Sequence, residues 1–302
     1  PHDFIWPMFV HDHKEPTSIT TMPDIYRQGL DDIKRNADLA MSLQIPALAV
    51  FPIIEGSKKD AHGSHCLDPE NIIQRTIQSL RAHVRDSLSI ICDVALDCYT
   101  DHGHDGILID GKIENDQSVD QLIKQALLLA DAGADTLAPS DMMDGRVLRI
   151  REALDQNGFT DVRILSYAAK YASCFYGPFR DALGKRNALV GDKKTYQMDP
   201  ANSDEALRET ALDIGEGADM VMVKPAGSYL DIIRRVSDEF PVPVCAYQVS
   251  GEYAMIAFAA QNGAFDLKTG FMESLLAIKR AGADAIISYF APQAVACITQ
   301  QD

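Results

Sequence analysis

The chain has 302 residues and a mass of 33.2 kDa, with 46% hydrophobic and 24% charged residues, the make-up of an ordinary globular protein with one large core. A net charge of -16 and a pI near 4.8 argue against a nucleic-acid or anionic-membrane surface. The six scattered cysteines, with no CxxC pair, read as reduced thiols; no apolar run reaches the ~18–20 residues of a membrane helix, and cytoplasm is the expected compartment.

Residues 4–10 (FIWPMFV) form a short apolar run that reads as a first strand. Apolar residues at helical spacing follow over 30–43, and 47–54 (ALAVFPII) is a continuous run of strand length. Pro69 after Asp68 predicts a helix start, with Ile72, Ile73, Ile77 and Leu80 continuing one face. The third strand is expected over 88–96 and the third helix over 119–132.

A punctuation then recurs. Gly-Ala-Asp at 133–135, 217–219 and 282–284 follows a helical pattern and precedes an apolar run, so the glycine reads as a left-handed helix cap. It predicts strands over 136–138, 220–223 and 285–289, while 163–168 and 244–249 complete a set of eight. Helices are expected over 146–157, 204–215, 229–240, 251–260 and 268–280. Apolar strands without polar alternation suit a parallel sheet covered on both faces, and eight βα units predict a single-domain closed (β/α)8 TIM barrel over 1–302. A doubly wound sheet is the alternative, but no GxGxxG follows the first strand. Residues 174–202 break the rhythm as a long loop after the fifth strand, holding Arg180, Lys185, Arg186, Lys193 and Lys194. It reads either as a lid or as a solvated basic loop.

In a barrel the C-terminal strand ends present Asp93, Ser140, Lys170, Lys224, Ser250 and Tyr289. Taken singly, a serine or tyrosine there is a cap or rim residue. Two lysines ending apolar runs are a stronger signal, because a buried ammonium tends to become a neutral amine, and a neutral amine attacks ketones. A salt bridge of Lys224 to Asp93 is the bland alternative. The pair points to Schiff-base chemistry on carbonyl substrates.

The stretches MVMVKPAGSYLDI around Lys224, SYAAKYASCFYGPFRDA around Lys170, and YQMDP, QVSGEYAMI and DVALDCYTDHGHDG resemble porphobilinogen synthase (5-aminolevulinate dehydratase) over nearly the whole chain. The resemblance implies a (β/α)8 barrel that condenses two molecules of 5-aminolevulinate, with loss of two waters, to porphobilinogen in tetrapyrrole (heme) biosynthesis. It implies that Lys224 forms a Schiff base with the first-bound substrate and Lys170 with the second. Ser250 and Tyr289 match the residues that hold the first substrate's carboxylate. Arg180, Lys193 and Gln197 match lid residues that hold the second's, and Asp93 and Tyr176 match residues near the reacting centre.

Zinc-dependent members carry three cysteines where this chain has Ala95, Asp97 and Asp105, so active-site Zn²⁺ is not expected, and the carboxylates suit Mg²⁺ better. His102 and His104 leave a generic zinc-hydrolase reading as a competitor. Glu209 matches a glutamate associated with an allosteric Mg²⁺, or else is an exposed helix residue in an i,i+4 pair. The family usually forms homo-octamers with an N-terminal arm around a neighbour, and that arm would precede Pro1. A class I aldolase, which needs one lysine, and a barrel serving only as an assembly subunit are the other readings.

Overall fold

The structure, a computed structural model, describes residues 1–184 and 189–299; Lys185 and Arg186 of the basic loop lie outside the described residues. Eight parallel strands close into a barrel: β1 (Phe4–Val10), β2 (Ala47–Pro52), β3 (Ser89–Val94), β4 (Thr136–Pro139), β5 (Arg163–Lys170), β6 (Met220–Lys224), β7 (Val244–Tyr247) and β8 (Ala285–Ile287). Each pairs with the next, and β1 closes the ring on β8 with Phe4 opposite Ile286. The helices are α1 (Leu30–Ser42), α2 (Ile72–Val84), α3 (Asn115–Asp131), α4 (Arg146–Gln156), α5 (Gly177–Ala182), α6 (Asp204–Gly215), α7 (Leu230–Glu239), α8 (Ser250–Gln261), α9 (Leu267–Ala281) and α10 (Ala291–Thr299). All of β2 and all of β5 after its first residue are buried, as helices over a barrel require. This is the (β/α)8 barrel expected from the repeat. None of the helices among the described residues is long and apolar enough to cross a membrane.

The three Gly-Ala-Asp segments do more than cap helices. Gly133, Gly217 and Gly282 have φ of 107°, 106° and 116°, the left-handed region where a Cβ is strained. The aspartate that follows then fastens the incoming strand to its predecessor. Asp135 accepts the Ile90 N–H at 2.7 Å, Asp219 the Ile164 N–H at 2.8 Å and Asp284 the Val244 N–H at 2.8 Å. Each aspartate also donates its own N–H to the carbonyl of that same residue. Asp219→Ala orphans one end of this double clasp, and a loss of about 1–2 kcal/mol in urea unfolding is expected.

Helix α2 starts later than Pro69 suggested. Asp68 caps a turn, accepting the Glu70 N–H at 2.9 Å, and Asn71 is the helix N-cap, accepting from Ile73 and Gln74. Asn71 wins because its amide also reaches the His65 carbonyl at 3.1 Å, a tertiary contact that spacing does not show. α3 begins at Asn115 rather than 119, and Ser250 is the first residue of α8 rather than a strand end. The stretch 174–202 is not one loop, since it contains a 3₁₀ turn (Cys174–Tyr176) and α5. Helix α10 and the small hairpins Thr17–Ser18/Tyr26–Gln28 and Ile107–Ile109/Lys112–Glu114 also lie outside the predicted elements.

Candidate active site

The two lysines meet through an irregularity. Strand β6 starts in register with β5, Val221 opposite Ser166, but Val223 stands opposite Ala169, so β5 gains one residue between them. That bulge places Lys170 directly across from Lys224. Without the extra residue Lys224 would face Ala169, and Lys170 would fall out of step with the lumen.

Lys224 is buried, with its Nζ 4.4 Å from the centre of the Tyr247 ring, 5.0 Å from Tyr167 and 5.3 Å from both Tyr176 and Phe179. Burial, and then the Lys170 cation, bring its pKa down to about 7, against the pull of Asp93, Asp97 and Asp105. Among the described residues no carboxylate is within ion-pair distance of it, so the Asp93 salt bridge is not formed. Lys170 is held otherwise: its Nζ donates to the Ser140 carbonyl and lies 3.4 Å from Asp105 Oδ1.

A carboxylate group faces the lysines. Asp105 is buried and takes Lys193 Nζ at 2.6 Å and the Tyr196 hydroxyl at 3.0 Å, while Lys193 also reaches Asp97 at 3.4 Å. Burial would push the Asp105 carboxyl up, but the Lys170 and Lys193 cations together hold it below the usual range. Lys193 is the mirror case, since burial would lower its pKa but Asp105 and Asp97 raise it. Among the described residues Asp93 has no such cation in contact and its buried Oδ1 has no hydrogen-bond partner; burial and then Asp97 push its carboxyl to about 7.

The remaining expected residues converge here too. Tyr176 donates to the Lys224 carbonyl at 3.2 Å and the Tyr171 carbonyl at 2.7 Å, so it supports the backbone of the lysine. The Ser250 hydroxyl accepts the Phe179 N–H at 2.9 Å and donates to the Phe175 carbonyl at 3.3 Å, while Tyr289 shares a 3.1 Å hydrogen bond with Tyr247. Arg180, on α5, joins Lys193 and Gln197 in a partition. The three line both an inner cavity of about 40 Å³ that contains the lysines and an outer one of about 580 Å³. The inner space, as it stands, has room for little beyond water. The first hairpin anchors it: Arg27 donates to the Asp181 and Ala182 carbonyls, both at 2.7 Å, at the end of α5. Spacing alone did not mark Arg27, Tyr167, Tyr196, Phe179 or Tyr247.

Among the described residues the ring nitrogens of the histidine pair face other partners. His104 Nε2 is spent on the Val190 carbonyl at 2.7 Å and Nδ1 on the Tyr196 hydroxyl at 2.9 Å. His102 Nε2 faces the Ala61 carbonyl at 3.2 Å, and its Nδ1 accepts the His104 N–H at 3.2 Å. Nor do the residues at the cysteine positions fit zinc: Ala95 offers a methyl group, and Asp97 and Asp105 are bridged by the Lys193 ammonium. Glu209 is half-buried on α6 rather than exposed. Burial and then Asp213 raise its carboxyl, with Arg146 opposing and Asp144 and Glu205 adding. Its neighbours one turn away, Glu205 and Asp213, are acidic, so an opposite-charge pair along the helix is not formed. No three His, Cys, Asp or Glu side chains converge on one metal position among the described residues.

The family model for delta-aminolevulinic acid dehydratase matches residues 1–297. The chain is 56% identical to the delta-aminolevulinic acid dehydratase of Bradyrhizobium diazoefficiens, over 97% of this chain and 83% of that protein. It is 52% identical to that of Methanothermus sociabilis, over 97% and 90%. A crystal structure of the Toxoplasma gondii enzyme in complex with the reaction product porphobilinogen superposes with a TM-score of 0.97 at 45% identity, covering 99% of this chain and 86% of that one. The chain belongs to the delta-aminolevulinic acid dehydratase family.

Proposed function

We propose that Lys224 and Lys170 are the two Schiff-base nucleophiles of this family's condensation, with Lys224 acting first. The enzyme is a porphobilinogen synthase, a lyase that joins two molecules of 5-aminolevulinate into porphobilinogen with loss of two waters. The observation that carries the lysine assignment is the register of β5 on β6, which sets two buried amines side by side in one cavity. An aldolase mechanism needs one such amine, and an assembly subunit none.

The Lys224 amine, neutral in a large fraction near pH 7, attacks the ketone of the first substrate; water leaves and an imine remains. Lys170 does the same with the second, expelling the second water. Carbon–carbon and carbon–nitrogen bonds then form at the two imine carbons, and each lysine returns as an amine. Asp93, with an unpartnered oxygen and a pKa near 7, is suited to move protons between the substrates. Ser250 and Tyr289 would hold the first carboxylate, and Arg180, Lys193 and Gln197 the second, with α5 and the 189–202 segment acting as the lid. Lys193 must trade Asp105 for substrate. Lys193→Met is therefore expected to raise KM by roughly 10- to 100-fold, the scale of a lost charge-assisted hydrogen bond, in steady-state kinetics.

A Mg²⁺ ion held by Glu209 would act on the active site from a distance, and no step runs through it. Assembly as a homo-octamer in the cytoplasm completes the reading; light scattering tests the first part. Borohydride reduction in the presence of 5-aminolevulinate, followed by peptide mapping with and without chelator, tests the chemistry. Adducts at Lys224 and Lys170 that persist under chelation are expected. Folded protein with neither adduct would sink the Schiff-base mechanism.

A further inference from the structure

We infer that Glu252 is the positioning residue that fixes the distance between Lys224 and the Ser250 clamp, and so sets the first substrate site. The inference rests on the Schiff-base role of Lys224 proposed above. Glu252 lies in the first turn of α8, is buried, and enters none of the steps just described. Its Oε2 accepts the Val249 N–H at 2.7 Å, the glutamate half of a capping box at the start of α8. A cap needs nothing more. Yet Oε1 also accepts the Gly227 N–H at 2.6 Å, and Oε2 the Ala226 N–H at 3.4 Å. These groups belong to the turn that leaves β6 two and three residues after Lys224.

One carboxylate thus spans two neighbouring strand ends. On one side is the backbone that aims the nucleophile; on the other is the β7–α8 junction that begins with Ser250. A substrate with a ketone and a carboxylate at a fixed separation demands a fixed separation between amine and clamp, and misplacement by about 1 Å can cost ~100-fold in rate. The fit is tight on both sides. A Cβ at Gly227 would meet Glu252 Oε1 at 2.7 Å, and one at Gly251 would meet the Phe175 carbonyl oxygen at 2.5 Å. What stabilises the carboxylate is backbone N–H groups, those of Val249, Gly227, Ala226 and Ser228, against a burial that raises its pKa to about 7. A buried carboxyl with these partners serves the backbone around it.

Glu252→Gln keeps shape but replaces one acceptor with a donor facing an N–H. The rate of borohydride trapping at Lys224 by 5-aminolevulinate is expected to fall on the order of 10- to 100-fold, at a temperature where circular dichroism shows parent and variant equally folded. Gly227→Ala, which crowds the same carboxylate from the other side, is expected to slow trapping in the same direction and carries the test if Glu252→Gln does not fold. Trapping at the parent rate in a folded variant overturns the inference and leaves Glu252 as a helix cap. No adduct on Lys224 in the parent protein overturns the Schiff-base reading, and this inference with it.

Discussion

Lys224→Met is expected to abolish porphobilinogen formation, by roughly 10⁴-fold or more as when other covalent nucleophiles are removed, and to make the protein more stable. The two effects share one cause. Burial among four aromatic rings brings the lysine to about pH 7 from an ordinary 10.5. Below about 7 the amine is protonated in both folded and unfolded chains, and the folded state bears the full cost of a buried cation. Between about 7 and 10.5 the unfolded chain binds a proton that the native one does not, so native stability rises with pH across that window. Methionine fills the space without the charge. Its gain in melting temperature should be largest at pH 6 and should fade as pH approaches 10.5. In the unsubstituted enzyme the same titration predicts that trapping at Lys224 rises with pH through about 7 and then levels. A variant that loses both activity and stability at pH 6 would point to a structural role for Lys224 instead.

Lys170→Met is expected to stop turnover completely while leaving the first imine intact. Peptide mapping after borohydride should still find substrate on Lys224, because the aromatic cage and Glu252 remain. The pH at which that labelling is half-maximal should move to the alkaline side of about 7, since the Lys170 cation is the second cause, after burial, of the low Lys224 pKa. The move should be partial, because burial stays. Asp105 would keep Lys193 at 2.6 Å as its counter-ion, so the carboxylate group should survive the substitution. Loss of the Lys224 adduct in a folded Lys170→Met protein would show that the two lysines do not act in sequence.

The sequence by itself determined the barrel and pointed to the two lysines. Eight apolar runs separated by amphipathic ones leave a closed parallel sheet as the arrangement that buries both strand faces, and that arrangement places Asp93, Lys170 and Lys224 at one end. Two amines ending two such runs are costly to bury, and that cost is readable from residue type alone. The Gly-Ala-Asp repeat gave its helix ends for the same local reason. What the aspartates do was not legible, because a carboxylate closing on Ile90, Ile164 or Val244 is a contact between distant segments.

The tertiary structure alone decided the geometry of the site. Strand register is a relation between β5 and β6, so no reading of either strand could find the extra residue that brings Lys170 opposite Lys224. The histidine pair looked like ligands until the Val190 and Ala61 carbonyls and the Tyr196 hydroxyl took their nitrogens. Nothing in the sequence marked Arg27 or Glu252, because their partners lie 155 and 25 residues away in the chain. Composition and spacing report which groups must be buried. Which of them then touch is fixed by register and by loops crossing the barrel mouth, where hydrogen-bond partners are chosen in three dimensions.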